Sequence, residues 1–586
     1  MKNKSSKILL VIMVVAIAFY ACKKSFLEQK PLGVLDEATL STEKGINNLV
    51  IAAYAMLDGH DGSFGVLGNE WGSGGSNFVF GSMAGGEANR GSSPGDQAGN
   101  MVPEIRHEGT STSGSLNDRW KALYEGVKRT NTVLQFVAKV PTLSDATKKN
   151  IVGQARLLRA WYHYQARITF GKVPYVDEAL DEQLSLAAIP GVPNDKEIWP
   201  QIVADAKYAY DNLPVAQDAV GRINKWVAGA VYGKILVATK DYATAKTVLQ
   251  DVVSNGGIQV AGINGGALRK FGLLPSYADN FNVSTENSNE SVFSFQTSAQ
   301  DNAGARNGNW GDQLNFPANG GIGGAGFFCP TYYFTNNFKT DAVGLPVATP
   351  QNTSVLDPAG QAGLTQYAGN VDVRLDWTVG RNQVPFHDWG TYLTSWQRDV
   401  TAGPFMGKKS VIRQTQVGAY HDASIWFSAG GNAINMPLLR FSEVLLLLAE
   451  AEIEAPGGSL VNAFTLINQV RTRAATTPPV AGIPAAVGVP KTAAYIVPFA
   501  SQAAARTALR LERMLELGME GSRFFDLVRW GIAQTELNAF YNYEAALPYQ
   551  LQGDLNNPKA QYAGATRDYY DLPQKQIDLS NGTLKP

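Results

Sequence analysis

The sequence is poor in cysteine and in net charge. Only Cys22 and Cys329 occur among 586 residues, which excludes a disulfide-rich scaffold and a cysteine-rich metal site. Lys and Arg number 50 against 51 Asp and Glu, so the formal net charge is −1. Proteins that bind nucleic acid through its phosphates present a strongly basic field, so we expect no nucleic-acid partner.

Long hydrophobic runs are also lacking beyond the N-terminus. The apolar run at 8–21 follows three lysines and is shorter than the roughly 20 residues of a transmembrane helix, as in signal peptides. Ala21 followed by Cys22 resembles a bacterial lipobox. We predict a lipoprotein signal peptide at 1–21, lipidation of Cys22 and a tether at 22–38. The alternative is an ordinary signal peptide with an incidental cysteine.

What is present is a large, apolar and glycine-rich chain. Hydrophobic residues make up 45% and charged residues 17%, which excludes a disordered chain. The 59 glycines and the aromatic content of 10% supply both flexible loops and ring surfaces. Composition changes along the chain predict an N-terminal helical region at 39–256, an irregular region at 257–435 and a C-terminal helical region at 436–586.

The helical regions are predicted to form antiparallel pairs. Paired helices with short turns are typical of tetratricopeptide units, and small residues such as Gly229 and Gly233 let such helices approach closely. Asn194, with Glu197 three residues later, is expected to cap the helix at 195–213. The other predicted helices begin after Ser41 or lie at 115–140, 145–170, 224–239, 242–254, 441–455, 460–474, 501–518 and 522–531. We expect the remaining C-terminal tail to be irregular.

The irregular region is the predicted seat of function. Gly, Asn, Thr, Ser and Pro dominate it, and only 292–296 and 411–416 are predicted as short strands. An irregular stretch of this length inside a folded chain is usually functional or disordered, and its aromatic content argues against disorder. The spacing of 321–326 fits a G-x-G-x-x-G nucleotide loop, but no strand-and-helix context surrounds it, which predicts a flexible loop instead.

Five segments resemble the SusD/RagB family of outer-membrane nutrient-binding lipoproteins. They occur in the family's order, span nearly the whole mature chain, and the fourth is the most specific. The segments are 119–124 with Arg129 and Asn131; 155–164 followed by 170–175; 437–444 with 449–451; 512–531; and 572–579.

The resemblance implies a mostly α fold, in which tetratricopeptide-type helix pairs form a scaffold and a less regular face holds ligand. It implies a lipid-anchored protein at the cell surface that partners a SusC-like, TonB-dependent outer-membrane barrel as its lid. The expected ligand is an oligosaccharide. The alternatives are a peptide or another nutrient, or a surface glycoside hydrolase using a carboxylate pair such as Glu286 and Glu290.

Aromatic residues in loop-like sequence are the candidate ligand contacts. Such rings stack on the apolar face of a sugar or on apolar peptide side chains, and neighbouring polar groups bond hydroxyls or amides. Helical tryptophans are instead expected in the core. The candidates are Trp71, Asn77, Phe80, Trp310, Asp312, Tyr332, Tyr333 and Trp389.

No residue pattern predicts catalysis, a cofactor or a metal site. Asn- and Asp-rich loops can hold Ca²⁺, but no ligand series specifies one. Glu512, Glu516 and Glu520 recur at four-residue spacing, and a charge-paired structural network is the interpretation we favour over catalysis. We expect arginines of the same segment at 513, 523 and 529 to neutralise them, so that Arg523→Ala lowers the melting temperature.

Overall fold

The computed structural model describes residues 37–59, 70–260, 264–303, 307–308, 315–356, 366–422, 431–556 and 559–586. At 70, 71, 264 and 550–552 it describes the backbone alone. The predicted signal peptide and Cys22 lie outside these residues. Within them, no helix combines the length and the apolar character needed to cross a membrane.

The N-terminal region is built from antiparallel helices. The first described helices are short, and the long pair that follows packs together before the chain turns through three more packed helices. In chain order the elements are α1 (Glu37–Leu40), α2 (Glu43–Ala55), α3 (Glu70–Ser73), a π-helix (Phe78–Met83), α4 (Ala98–Ile105), α5 (Gly114–Ala138), α6 (Asp145–Phe170), α7 (Glu178–Ser185), α8 (Trp199–Asn212), α9 (Lys225–Ala238) and α10 (Tyr242–Asn255).

Most predicted helix starts in this region are confirmed, and the capping side chains explain them. Ser144 caps α6, and Asn224 caps α9 by accepting two backbone N–H bonds. The predicted cap of α8 is wrong, because Asn194 instead donates to backbone carbonyls of Lys172 and Lys585. Glu197 accepts the first free N–H groups instead, so α8 begins only at Trp199.

The close approach predicted for α9 is confirmed. A Cβ added to Gly233 would lie 2.3 Å from Leu249 of α10, and one added to Gly229 would lie 2.8 Å from Val252. Both distances are below van der Waals contact, so only glycine allows the two helices to pack at this spacing.

The strands are short and lie mostly in the middle of the chain, together with short helices. The strands pair in twos and threes: β1 with β6, β10 with β5, β11 with β7, β8 with β9, and β2–β3–β4 in order. They are β1 (Ala88–Gly91), β2 (Ala216–Gln217), β3 (Gly257–Val260), β4 (Arg269–Lys270), β5 (Ser291–Phe295), β6 (Phe327–Pro330), β7 (Asn370–Val371), β8 (Val379–Gly380), β9 (Met406–Gly407), β10 (Met436–Arg440) and β11 (Val489–Pro490). The α-helices between them are α11 (Tyr332–Asn336), α12 (Leu375–Thr378) and α13 (Val417–Tyr420).

The two strand predictions have different outcomes. The strand at 292–296 is confirmed as β5, which pairs antiparallel with β10. The strand at 411–416 is wrong, because Gln414–Gln416 forms a 3₁₀ turn. Asp388 holds this turn by accepting the backbone N–H groups of Gln414 and Thr415, so these groups are not free for a strand partner.

The C-terminal region resumes antiparallel helix packing. Its elements are α14 (Phe441–Glu454), α15 (Leu460–Thr476), α16 (Gln502–Leu517), α17 (Arg523–Arg529), α18 (Ala533–Glu544), α19 (Gln550–Asn556) and α20 (Gln574–Leu579). The expected irregular tail is therefore wrong. In α18 the buried residues Ala533, Leu537, Phe540, Tyr541 and Glu544 follow helical spacing, a signal that sequence reasoning missed.

One large hydrophobic core joins all three predicted regions, since its buried members run from Ala53 to Leu584. A smaller core lies beneath the loops of the middle region. Its buried members are Phe316, Ile322, Cys329, Phe386, Tyr392, Met406 and Val411. This second core fixes the position of the loops above it, and the exact division into regions stays a prediction.

Candidate functional site

Two tryptophans lie on the small core of the middle region and form what we call the tryptophan platform. Trp389 and Trp396 both pack against this core and are half-buried, so part of each ring faces solvent. The indole N–H of Trp389 donates to the carbonyl of Ile412 at 2.8 Å. Because packing and this bond fix the Trp389 ring, the platform presents preformed aromatic surface.

A glycine turn runs along the platform. The backbone N–H of Asn319 donates to the carbonyl of Trp396 at 3.0 Å, and its side chain donates to Ser395 and Gln397. Gly320 has φ +75°, and a Cβ there would lie 2.2 Å from the Trp396 ring. The 321–326 segment predicted as a flexible loop thus begins on a turn that only glycine fits.

A cleft of about 500 Å³ opens beside β1, and we call it the arginine cleft. Arg90, 1% exposed, forms part of its wall and donates through Nη1 to the carbonyls of Ser93 at 2.9 Å and Asp96 at 2.6 Å. Among the described residues, Arg90 Nε has no hydrogen-bond partner. The other lining residues are Pro94, Gly95, Thr401, Pro548, Tyr549, Gly553 and Asp554. Buried donors without a partner are costly, so this wall is suited to a ligand with acceptor oxygens.

The opposite wall of the arginine cleft is held by a buried carboxyl group. The hydroxyl of Tyr549 donates to Glu544, whose other oxygen accepts the backbone N–H of Tyr333 at 2.6 Å. Burial raises the pKa of Glu544 to about 7, although these bonds oppose the shift. Burial also raises the pKa of Asp554 despite its contact with Arg90 at 3.5 Å.

The platform and the cleft lie close together, and we call the two of them the loop face. The backbone N–H of Ser92, beside Arg90, donates to the carbonyl of Gly326 at 2.6 Å. A Cβ on Gly326 would lie 3.3 Å from Arg398, two residues after Trp396. Trp396 and Thr401 of the cleft are five residues apart, at most about 18 Å of chain. The two features are therefore near neighbours in the fold.

The predicted aromatic contacts occupy three different settings. Trp389 forms the platform. Tyr333 is half-buried against Phe540 and Tyr543. Tyr332 is 3% exposed and packs edge-on against Tyr549, so its ring supports the cleft from behind. Trp310 and Asp312 lie outside the described residues, as does the side chain of Trp71, whose backbone belongs to α3.

The other two predicted contacts lie on the helical side. Phe80 is 1% exposed in the π-helix and packs edge-on against Tyr570 at 5.2 Å, inside the main core. Asn77 has φ +56° and donates to Gln165 at 3.0 Å. It lines a second cavity between helices rather than the loop face.

Sequence reasoning missed Arg90 and Tyr549. Trp396 shares the loop-like setting that singled out Trp389, so a signal for it existed. Nothing in the sequence around Arg90 marks it, because its role arises when β1 pairs with β6. In this pairing Gly91 lies opposite Phe327, which is 236 residues later in the chain. Tyr549 was placed in a tail expected to be irregular. Such contacts between distant segments are invisible to local patterns.

We call Glu512, Glu516 and Glu520 the glutamate row. The charge-paired network predicted around them is present. Glu512 and Glu516 are fully buried. The predicted partners are wrong, because the cations come from distant segments. Glu512 is bonded by Arg374 and Arg471. Glu516 is bonded by Arg374, Arg440 and Arg473, and Glu520 is bonded by Lys409 and Arg440. Burial alone would raise the pKa of Glu516, but the three arginine charges hold it well below its usual value.

Arginines of the 512–531 segment pair elsewhere. Arg513 bonds Asp526 at 2.8 Å and Glu443 at 3.1 Å, Arg529 bonds Glu450, and Arg523 contacts Glu536 at 3.3 Å. They link α14, α16, α17 and α18. The prediction considered only arginines of the same segment, whereas the fold brings the partners of the glutamates from distant segments.

The carboxylates named for a hydrolase do not face a common cleft. Glu290 is fully buried and bonds Arg440 at 2.8 Å and Arg473 at 2.6 Å. Glu286 accepts the backbone N–H of Asn435, and burial raises its pKa to about 8. In the described part of the chain, no three or more His, Cys, Asp or Glu side chains are grouped to hold a metal ion.

Comparisons with known proteins point to one family. Residues 289–585 match the SusD family, and residues 78–237 match a family described as starch-binding and associating with the outer membrane. SusD-like protein P25 of Formosa agariphila is 24% identical, with 96% of this chain and 100% of that protein covered. A SusD-like protein of Bacteroides ovatus is also 24% identical, with 99% and 94% covered.

Solved structures share the fold. A SusD superfamily protein of Bacteroides vulgatus superposes with a TM-score of 0.64 at 19% identity, covering 93% of this chain and 98% of that one. Surface glycan-binding protein A of Bacteroides thetaiotaomicron, in complex with laminarihexaose, gives 0.62 at 21% identity, covering 92% and 98%. These likenesses confirm the mostly α architecture with tetratricopeptide-like helix pairs.

Proposed function

Because this chain belongs to the SusD family, we propose that it binds an oligosaccharide on its loop face and delivers it to a SusC-like, TonB-dependent barrel. The observation that carries the proposal is the tryptophan platform joined to the arginine cleft. Half-buried rings supply apolar faces for sugar rings, and the free donor of Arg90 supplies a hydrogen bond to a sugar oxygen. A complex of a similar fold with laminarihexaose supports a glycan as ligand.

The ligand is bound rather than cleaved in this proposal. The platform needs no titratable pair, and the buried glutamates described above bond to backbone groups, a tyrosine, arginines or a lysine. Most of the polar groups at the cleft are held by other protein groups before ligand arrives. Such preorganised surfaces bind with little loss of side-chain entropy.

The test is retardation of the mature chain in gels containing a panel of polysaccharides. We expect one glycan to slow the wild type without being degraded, and Trp396→Ala to weaken that retardation by about tenfold or more in apparent affinity. The matched control is Trp530→Ala, which removes a half-buried tryptophan of the C-terminal helices and leaves the loop face intact.

Other results would assign a different function. Retention of full affinity in Trp396→Ala and Trp389→Ala together would move the site away from the platform. Binding of a casein-derived peptide mixture but of no glycan would make this a peptide-binding member of the family. Release of sugar by the pure protein would show a hydrolase.

Delivery also requires the chain to sit at the outer membrane. We propose that lipidated Cys22 anchors it there, with the folded part facing the cell exterior. The family described as associating with the outer membrane supports this location. Cys22→Ala should move the full chain from the membrane fraction to the soluble fraction. Co-purification of the wild type with a β-barrel protein would support the partnership, and isolation without one would count against it.

A further inference from the structure

A cavity of about 330 Å³ lies between the N-terminal and C-terminal helices, and we call it the interhelical cavity. Residues from α6, α8 and α9 form one side, and residues from α14, α16 and α17 form the other. Its volume falls at the lower end of the range of about 300–1,000 Å³ for small-ligand sites. Its aromatic lining residues are Trp161, Tyr164, Trp199, Phe525 and Tyr569.

A partly exposed tyrosine of the C-terminal tail takes part in the lining of the cavity. Tyr569 lines the cavity and is 40% exposed. The guanidinium of Arg167 lies between the rings of Trp199, at 5.3 Å, and Tyr569, at 5.2 Å. Glu197 holds Arg167 by two hydrogen bonds at 2.9 and 3.0 Å. This part of the lining is therefore a fixed stack of two aromatic rings and an arginine.

The buried charges beside the cavity are paired, three cations with three carboxylates. Lys234 bonds both oxygens of Glu443, at 3.0 and 3.1 Å. Arg513 bonds Asp526 at 2.8 Å and Glu443 at 3.1 Å, and Arg529 bonds Asp526 at 2.8 Å and Glu450 at 2.9 Å. A ligand with a net charge would leave one charge in this buried site uncompensated, which is costly. The wall therefore suits a neutral ligand.

One donor in the wall is unused. Arg513 is 2% exposed, and its Nη1 has no hydrogen-bond partner among the described residues. Its other nitrogens are occupied by Asp526 and Glu443. A buried guanidinium N–H without an acceptor costs free energy, so a ligand oxygen at this point would stabilise the site.

We propose that the interhelical cavity binds one neutral monosaccharide, at a site separate from the loop face. A hydroxyl group can accept from Arg513 Nη1 and donate to Glu443 or Asp526, and this double role fits the balanced charges of the wall. The apolar face of the sugar ring packs against the aromatic lining. The enclosed volume admits a single sugar rather than a polymer. This inference does not depend on the loop-face proposal.

The test measures binding of D-glucose, D-galactose, D-mannose and D-xylose to the mature chain by titration calorimetry. We expect one of these sugars to bind with one site per chain. Ala238→Phe, which places a ring in the cavity, should weaken binding by about tenfold or more. Ala243→Phe is the matched control, because Ala243 is exposed at the start of α10. It should bind as the wild type does.

Trp396→Ala separates this site from the loop face. One monosaccharide per chain should remain bound in that variant, even where its retardation by polysaccharide is lost. Loss of monosaccharide binding in Trp396→Ala with retention in Ala238→Phe would overturn the inference. So would the absence of binding by all four sugars at millimolar concentration.

A folding defect in Ala238→Phe would be visible in its circular dichroism spectrum. In that case, wild-type crystals soaked in the sugar that binds decide the question. Density between Trp199 and Arg513 supports the inference, and density only on the loop face overturns it.

Discussion

The glutamate row and the arginine cleft both contain buried arginines, but they use them differently. Arg440 is 2% exposed, and all three of its side-chain nitrogens donate, to Glu290, Glu516, Glu520 and nearby oxygens. Arg90 is 1% exposed, yet its Nε has no partner among the described residues. One arginine completes a closed network, and the other keeps a donor beside an open cleft.

The difference separates scaffold from binding surface. In the glutamate row, each carboxylate faces a cation from another segment, so the pairs fasten distant parts of the chain together. On the loop face, the rings of Trp389 and Trp396 are fixed by neighbours but remain partly exposed. Substitutions in the first region should therefore change stability, and substitutions in the second should change binding.

The largest expected effect comes from breaking the glutamate row. Glu516→Gln keeps the shape of the side chain but leaves Arg374, Arg440 and Arg473 without their shared counter-charge. We expect a loss of about 3–5 kcal/mol in the free energy of unfolding, measured by urea titration.

The control for this change is Lys207→Ala, which breaks an exposed pair with Asp211. Exposed ion pairs contribute about 0–1 kcal/mol to stability, so the control should change the urea midpoint of unfolding little. A similar small loss in both variants would show that the buried row does not fasten the fold.

The second prediction concerns how the stability of the fold depends on pH. Burial raises the pKa of Glu544 from 4.5 to about 7. Between these values the folded chain binds a proton that the unfolded chain has lost, so stability falls as pH rises, by about 3 kcal/mol. Glu516, with its lowered pKa, acts in the opposite direction: its contribution is present above its unfolded pKa and is lost in acid.

Glu544→Gln removes the titrating group behind Tyr549. The stability of this variant should therefore fall less steeply as pH rises. The measurement is the urea midpoint of the wild type and the variant from pH 4.5 to pH 8. Other carboxyls with raised pKa, such as Glu87 at about 7, remain in both proteins, so only the difference is interpreted. Parallel profiles would show that Glu544 is ionised throughout this range.

The fold was largely predictable from sequence where local signals act alone. The helices at 115–140, 145–170 and 224–239 are set by apolar spacing and by caps such as Ser144 and Asn224. The start of α8 was misplaced because Asn194 bonds to Lys585 near the C-terminus. A local rule has no access to that partner.

The candidate site was less predictable for the same reason. Trp389 was found because tryptophan in loop sequence is itself a signal. Phe80 and Tyr332 are also aromatic residues in loop-like sequence, but they point into the core. α17 covers the Phe80 segment, and Tyr549 covers Tyr332, only after folding. Arg90 gave no signal, because its free donor depends on which carbonyl groups the surrounding loop presents.

A third, smaller effect tests whether the platform must be preformed. Gly320→Ala would place a Cβ 2.2 Å from the Trp396 ring, so the turn or the ring must move. We expect glycan affinity to fall by about tenfold, equal to about 1.4 kcal/mol, in the gel retardation assay.

Gly457→Ala is the matched control for backbone strain. Gly457 has φ +71°, but nothing lies within 4 Å of an added Cβ. Both variants should lose about 1 kcal/mol or slightly more in stability, and only Gly320→Ala should lose affinity. Equal affinity in the two variants would show that the platform adapts to its ligand.

The smallest effect concerns Arg523, at the edge of the ionic network. Its contact with Glu536 is 3.3 Å long, and Glu536 is 36% exposed. Arg523→Ala should therefore lower stability by about 1 kcal/mol, visible as a modest fall in melting temperature, because solvent screens the pair. Arg523→Lys should keep most of the stability that Arg523→Ala loses, since lysine retains the charge. A fall as large as that of Glu516→Gln would place Arg523 inside the network, whereas an unchanged melting temperature would remove it from the scaffold.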